Sequence, residues 1–146
     1  KDLIGGIVKV LSQSAGNPCS ISQAAAVAAL QGPQDFISER AAQFRGRRDF
    51  LVSRLNDIDD LSCHSPEGAF YLFPSCAGLI GGVTPKGQQI NSSIDLATYL
   101  LETASIAVVP GSAFEYDPNI RLSYATSMDT LQLACDRLEQ ACRRIT

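Results

Sequence analysis

The most constraining feature of this 146-residue chain is a change in its hydrophobic period near residue 60. From about residue 35 to 57, apolar residues recur every three or four positions, which is the repeat of an amphipathic helix. Beyond residue 60, short aromatic and β-branched runs lie between turns, which favours strands. Helices come first and strands come later, so the pattern predicts an α+β domain with helices packed on one face of a small sheet.

Five helices are predicted in all. Two short helices cover residues 2–12 and 23–30, with Ser20 or Ser22 as the expected cap of the second, and the long helix 35–57 follows. Ser93 is the expected cap of a fourth helix. The motif Thr126-x-x-Asp129 is the expected capping box of the last.

Three strands are predicted, over residues 69–73, 106–109 and 120–124. On the third strand, Arg121 points to the face opposite the apolar residues. A guanidinium group can hold a carboxylate through two parallel, charge-assisted hydrogen bonds. From the alternation alone, an arginine on an outer sheet face that pairs with a neighbouring acid is the commoner case, so both roles stay open.

The composition and charge of the chain argue against several classes of partner. The net charge is −3 and the sequence pI is near 5.0, so neither nucleic acid nor an anionic membrane surface is an expected partner. The arginines of the long helix are therefore interpreted as a solvated or salt-bridged face. No apolar run approaches the ~20 residues that span a bilayer. No signal peptide is recognised either, so a cytoplasmic location is expected.

Cysteine and histidine usage points to no metal or redox site. The five cysteines are scattered without C-x-x-C spacing, which predicts free thiols in a reducing compartment. With His64 as the single histidine, a histidine-based metal cluster is excluded. Phosphate-loop, dinucleotide-binding, nucleophile-elbow and zinc-protease motifs are also absent.

Four short segments occur in an order typical of a known family. They contain Gly16-Asn17-Pro18, Pro66-Glu67-Gly68-Ala69-Phe70-Tyr71, Val108-Val109-Pro110-Gly111-Ser112-Ala113-Phe114 and Ile120-Arg121-Leu122-Ser123-Tyr124-Ala125. So arranged, they resemble the C-terminal region of class I/II (fold-type-I) aminotransferases, which depend on pyridoxal 5′-phosphate. The bacterial aspartate aminotransferase branch is the most similar, and the resemblance covers essentially the whole chain.

The resemblance implies a domain organisation. Residues 1–35 match the end of the large cofactor-binding domain, and residues 36–57 match the helix that links the two domains. Residues 58–146 match the small C-terminal domain, which closes over the substrate. The family parent is of the α/β class and works as a homodimer. Because the chain starts at Lys1 and not at methionine, it is expected to be a fragment or a processed product.

The resemblance also assigns substrate-binding residues. Arg121 matches the arginine that holds the substrate α-carboxylate. Asn17 matches a position close to the active site of the neighbouring subunit. Phe70 matches an aromatic residue near the substrate pocket, although packing in the core is an equal alternative. Pro110 and Gly111 match a turn and are expected to be structural.

The chain departs from the family at the catalytic centre. Its three lysines, Lys1, Lys9 and Lys86, do not match the family's Schiff-base lysine, which is expected upstream together with the cofactor-binding residues. The chain is therefore expected to contain no catalytic, cofactor-binding or metal-binding residue, and to be inactive alone.

The expected reaction of the parent transfers an amino group from aspartate to 2-oxoglutarate. However, no arginine lies between residues 1 and 39, where one branch of the family places the arginine for a second substrate carboxylate. Alanine, aromatic and broad-specificity aminotransferases and carbon–sulfur lyases therefore stay open. The alternative class is an aminotransferase-like ligand-sensing domain of a transcription regulator.

Overall fold

A computed structural model describes all residues, 1–146. The chain divides into two compact units, Lys1–Glu39 and Arg40–Thr146. The helices are α1 Asp2–Ser14, α2 Ser20–Gln31, α3 Asp35–Asn56, α4 Ser93–Ala104 and α5 Met128–Cys142. The strands are β1 Tyr71–Leu72, β2 Val109–Pro110 and β3 Ile120–Ser123. None of these helices combines the length and hydropathy that a membrane span requires.

The first unit has no core of its own. Helices α1 and α2 contain no buried side chain. On α1, the apolar side chains are half or more exposed, including Leu3 at 78% and Ile4 at 66%. An isolated pair of helices with this much exposed apolar surface gains little from hydrophobic burial.

The second unit contains the small sheet. Its strands lie in the order β1-β3-β2, and both pairs are antiparallel. In the register, Tyr71 lies opposite Ser123 and Val109 lies opposite Arg121. β3 is therefore the central strand. Five helices and a small antiparallel sheet confirm the predicted α+β class.

The hydrophobic core lies on one face of this sheet. Leu55 of α3, Leu96 and Leu100 of α4 and Ile120 of β3 are all 0% exposed. Burying a leucine or isoleucine side chain stabilises a fold by roughly 1.5 to 3 kcal/mol. At the surface, Arg54 joins α3 to α5 through an ion pair with Asp136 at 2.7 Å. This pair is partly exposed, so the apolar contacts carry most of the stability.

The strands differ from the predicted ranges for local reasons. Ala69 has a positive φ of 67°, so the first strand begins only at Tyr71. The second strand lies at Val109–Pro110, whereas residues 106–109 were expected, because the Ile106 amide is bonded to Leu100 O at the end of α4. A proline in this strand is tolerated because β2 is an edge strand.

Three predicted helix caps are wrong by one residue or more. Ser92, not Ser93, caps α4, and its hydroxyl accepts a hydrogen bond from the Asp95 amide at 3.4 Å. Ser127, not Thr126, caps α5 in the same way through Thr130. At the start of α2 the capping residue is Cys19, without a side-chain cap bond. Runs of adjacent hydroxyl residues explain the first two errors, because any of them suits an N-cap.

Candidate functional site

Arg121 lies in the middle of the sheet, on the face opposite the core. Its neighbours along β3 alternate as predicted, with Ile120 fully buried and Tyr124 2% exposed on the core side. Arg121 itself is half-buried. Because β3 is flanked on both sides, side chains from β1 and from the segment after β2 can reach the guanidinium.

Two aromatic rings hold the guanidinium of Arg121. Its Cζ atom lies 5.3 Å from the centroid of the Tyr71 ring and 4.9 Å from that of the Phe114 ring. Both distances are within the range of cation–π attraction. No ion pair of the structure includes Arg121, and its guanidinium makes no hydrogen bond. The interpretation of Arg121 as one half of a surface ion pair is therefore wrong for this chain.

The two rings belong to a larger set of aromatic contacts. Phe73 packs edge-on against Phe114 at 5.9 Å between centroids and lies 6.0 Å from Tyr116. Phe70 packs edge-on against Tyr71 at 5.7 Å. We call Arg121, Tyr71, Phe114, Phe73 and Phe70 the Arg121 cluster. It is an open aromatic surface with one cation on it.

Phe70 contacts Tyr71, which in turn contacts Arg121, and it is not a core residue. Its side chain is 54% exposed. Its backbone oxygen accepts hydrogen bonds from the Tyr124 amide at 2.9 Å and the Ser123 hydroxyl at 3.4 Å. The structure thus brings Phe70 and Arg121 into one cluster through Tyr71. The substrate-binding role of Phe70 stays a prediction.

The turn before Phe70 is anchored from two sides. Arg48 of α3 donates a hydrogen bond to the Pro66 carbonyl at 3.0 Å. The Tyr124 hydroxyl donates to the Ala69 carbonyl at 2.9 Å. Burial raises the pKa of Tyr124, so its hydroxyl keeps the proton that this bond requires. These bonds hold Ala69 in its left-handed conformation and fix the direction in which Phe70 and Tyr71 leave the turn.

The 3₁₀ turn Gly111–Phe114 places the second ring. The Gly111 amide donates to Asn119 O at 2.7 Å, and the Ser112 amide donates to the hydroxyl of buried Ser93 at 3.3 Å. Asn119 is itself held by a hydrogen bond from its side-chain amide to Phe73 O at 2.9 Å. Phe114 therefore projects from a backbone that is fixed at several points.

Asn17 belongs to the first unit. It is exposed in the segment between α1 and α2. Its expected role at the active site of a neighbouring subunit stays a prediction.

Sequence reasoning missed Tyr71 and Phe114 as partners of Arg121. Both residues stand inside the segments that carry the family resemblance, so a signal was present. Their contact with one guanidinium depends on the pairing of three strands, however, and no local pattern encodes that register.

The Arg121 cluster contains a group that suits a carboxylate but contains no lysine for the covalent chemistry that the resemblance implies. A guanidinium whose planar N–H edge makes no other bond suits a bidentate carboxylate. A Schiff-base lysine must reach its neutral form, which burial favours by lowering its pKa. All three lysines of this chain are exposed, so its own residues do not fit a pyridoxal phosphate site.

The sequence and the fold match one family. The family model for aminotransferase class I and II matches residues 2–138, and the chain belongs to this family. The aspartate aminotransferase of Rhizobium meliloti (strain 1021) is 53% identical over 146 residues. A Rickettsia felis protein described as a probable aspartate/prephenate aminotransferase is 49% identical over the same length. In both cases the match covers 100% of this chain and 36% of the relative.

Solved structures agree with this assignment. The crystal structure of the Rhizobium meliloti aspartate aminotransferase superimposes with a TM-score of 0.89 at 52% identity, over 99% of this chain and 36% of that chain. Alanine aminotransferase from Pyrococcus furiosus gives a TM-score of 0.75 at 30% identity, over 86% of this chain and 30% of that chain. The chain thus spans about a third of the length of the proteins that it matches.

Proposed function

We propose that this chain is the part of a pyridoxal-phosphate-dependent aminotransferase that binds the substrate α-carboxylate through Arg121. The observation that carries this proposal is the state of the guanidinium. It lies on the central strand between Tyr71 and Phe114 and is paired with no acid of its own chain. An acid paired with Arg121 would occupy the N–H edge that a substrate carboxylate needs.

The physical role of Arg121 is orientation. Two parallel hydrogen bonds to a carboxylate fix both the position and the plane of the group next to the reacting carbon. Fixing that geometry before reaction removes part of the entropic barrier. Bound pyridoxal phosphate would supply the electron sink, and the lysine that carries it would come from outside this chain.

The proposed reaction moves the amino group of aspartate to 2-oxoglutarate in a cytoplasmic homodimer. The names of the relatives support aspartate as the amino donor. The regulator and lyase alternatives have no such support, because the relatives described above are named as aminotransferases.

The domain assignment is part of the same proposal. Residues 1–35 would end the large domain, 36–57 would link the domains, and 58–146 would form the small domain. The exposed apolar faces of α1 and α2 support the first assignment, because a larger domain would bury them.

The test replaces Arg121 with Ala in the full-length polypeptide that carries this chain. Each charge-assisted hydrogen bond contributes about 1.5 to 3 kcal/mol, so losing two should lower kcat/KM by roughly a hundredfold to ten-thousandfold. The visible absorbance of the bound cofactor should not change. Arg143→Ala is the matched control, because Arg143 is 72% exposed and paired with Glu139.

Two results would contradict the proposal. Near-normal kcat/KM in Arg121→Ala would remove Arg121 from substrate binding. The absorbance band of the bound cofactor is the second readout. If aspartate does not shift this band, or if 2-oxoglutarate does not reverse the shift, the family assignment stands but this substrate pair is rejected.

A further inference from the structure

We propose that Tyr71 and Phe114 are positioning residues that hold the guanidinium of Arg121 in the orientation that a substrate carboxylate requires. This inference rests on the proposed function, because it concerns the same site. It assigns a role to two side chains that do not themselves bind the substrate.

Arg121 needs an external restraint. An arginine side chain has many rotamers, and ion pairs or hydrogen bonds are what usually select one of them. In this chain the guanidinium of Arg121 makes neither an ion pair nor a hydrogen bond. Its cation–π contacts with the Tyr71 and Phe114 rings are therefore the interactions that can select its rotamer. A guanidinium stacked on a ring keeps its N–H edge free for a carboxylate, whereas an ion pair would occupy that edge.

The two rings approach from opposite neighbours of the central strand. Tyr71 comes from β1, and Phe114 comes from the turn that follows β2. Each ring projects from a backbone held by ladder or turn hydrogen bonds. A flexible side chain is thus placed between two rigid supports, and shifting either support would redirect the guanidinium.

Core packing does not explain these rings. Tyr71 is 39% exposed and Phe114 is 46% exposed, and neither belongs to the buried core cluster. Replacing them with leucine should therefore leave folding intact while removing the cation–π contacts.

The experiment uses the full-length polypeptide and the variants Tyr71→Leu and Phe114→Leu, alone and together. Each single change should lower kcat/KM for aspartate about two- to fivefold, which is the usual effect of one exposed cation–π contact. The double change should lower it about fourfold to twenty-fivefold. The dissociation constant of succinate, a dicarboxylate without the reacting amine, should rise by the same factors in titration calorimetry.

Conservative and control variants separate positioning from general damage. Tyr71→Phe and Phe114→Tyr should restore most of what the leucine variants lose, because both keep a ring. Tyr116→Leu should not alter kcat/KM, because Tyr116 is 64% exposed and contacts Phe73 and not Arg121.

A double-mutant cycle decides the result. If the rings act through Arg121, their replacement should have no further effect in the Arg121→Ala background. Equal losses in both backgrounds, or no loss in the wild-type background, would overturn the inference while leaving the proposed function standing. Near-normal kcat/KM in Arg121→Ala alone would instead remove the proposed function and this inference with it.

Discussion

Gly111 gives the sharpest stability prediction, because its neighbourhood has no space for a side chain. A Cβ atom at this position would collide with the backbone oxygen of Tyr116 and would lie 2.5 Å from the backbone oxygen of Asn119. Both obstacles are backbone atoms, so neither can rotate away as a side chain could. Accommodating Gly111→Ala would require the turn that carries Phe114 to move.

The cost follows from what that movement breaks. Overpacking alone costs about 1 to 3 kcal/mol. The displaced turn would also lose the bond from Gly111 N to Asn119 O at 2.7 Å and that from Tyr116 N to Gly111 O at 3.1 Å. Each bond contributes about 1 kcal/mol, so the free energy of unfolding should fall by about 3 kcal/mol or more. This is a large part of the 5 to 15 kcal/mol typical of a whole domain.

The assay is urea unfolding of the 146-residue chain, followed by far-ultraviolet circular dichroism. With m near 1 to 3 kcal/mol per molar, the midpoint should fall by roughly 1 to 3 M. Gly46→Ala is the matched control, because nothing lies within 4 Å of its Cβ position inside α3. That variant should gain up to about 1 kcal/mol in helix propensity. A Gly111→Ala midpoint at or above that of the wild type would refute the steric argument.

The cysteines differ in their chemistry. At mildly alkaline pH a thiol-specific disulfide reagent should modify exposed Cys19 first, since the nearby backbone N–H groups of Ser22 and Ile21 lower its pKa. Rapid labelling of a second thiol before urea is added would contradict this. Stability should also fall as pH rises from about 9 towards 11, because burial raises the pKa of Cys63 to about 11 and that of Cys142 to about 12. An unfolded thiol, with its ordinary pKa of 9.0, loses its proton in that window while the folded one keeps it. The urea midpoint, measured from about pH 9 to 11, should fall as pH rises, and it should fall less steeply in Cys63→Ala. A midpoint that rises with pH would contradict the reasoning.

Helices were predictable from this sequence because their signals are local. The apolar stripe that predicted a helix over residues 35–57 corresponds to α3, Asp35–Asn56. The strands were harder, because a strand ends where its ladder ends and the ladder partner lies far away in the chain. β1 has two residues and not the five expected, and the positive φ of Ala69 keeps that residue out of the strand.

The candidate site was predictable only in part. The alternation along residues 120–124 correctly placed Arg121 on the face away from the core. The choice between an ion pair and a free guanidinium could not be made from that alternation. It depended on Tyr71 and Phe114, which are about 40 residues apart in sequence and converge only through the sheet order β1-β3-β2. Non-local pairing of this kind leaves no periodic trace in the sequence.

Binding of an α-carboxylate, the role proposed for Arg121, cannot by itself set substrate specificity. Every amino acid carries an α-carboxylate, so a group that binds it contributes equally to competing substrates, and discrimination needs a difference in affinity. The structural relatives fit this reasoning, because a protein named as an aspartate aminotransferase and one named as an alanine aminotransferase share this fold at TM-scores of 0.89 and 0.75. Under the proposed function, a choice of aspartate would therefore have to come from a second polar group that contacts the substrate side chain. Arg121 and its two rings would hold the α-carboxylate of every substrate in the same position, and the second group would distinguish between the side chains.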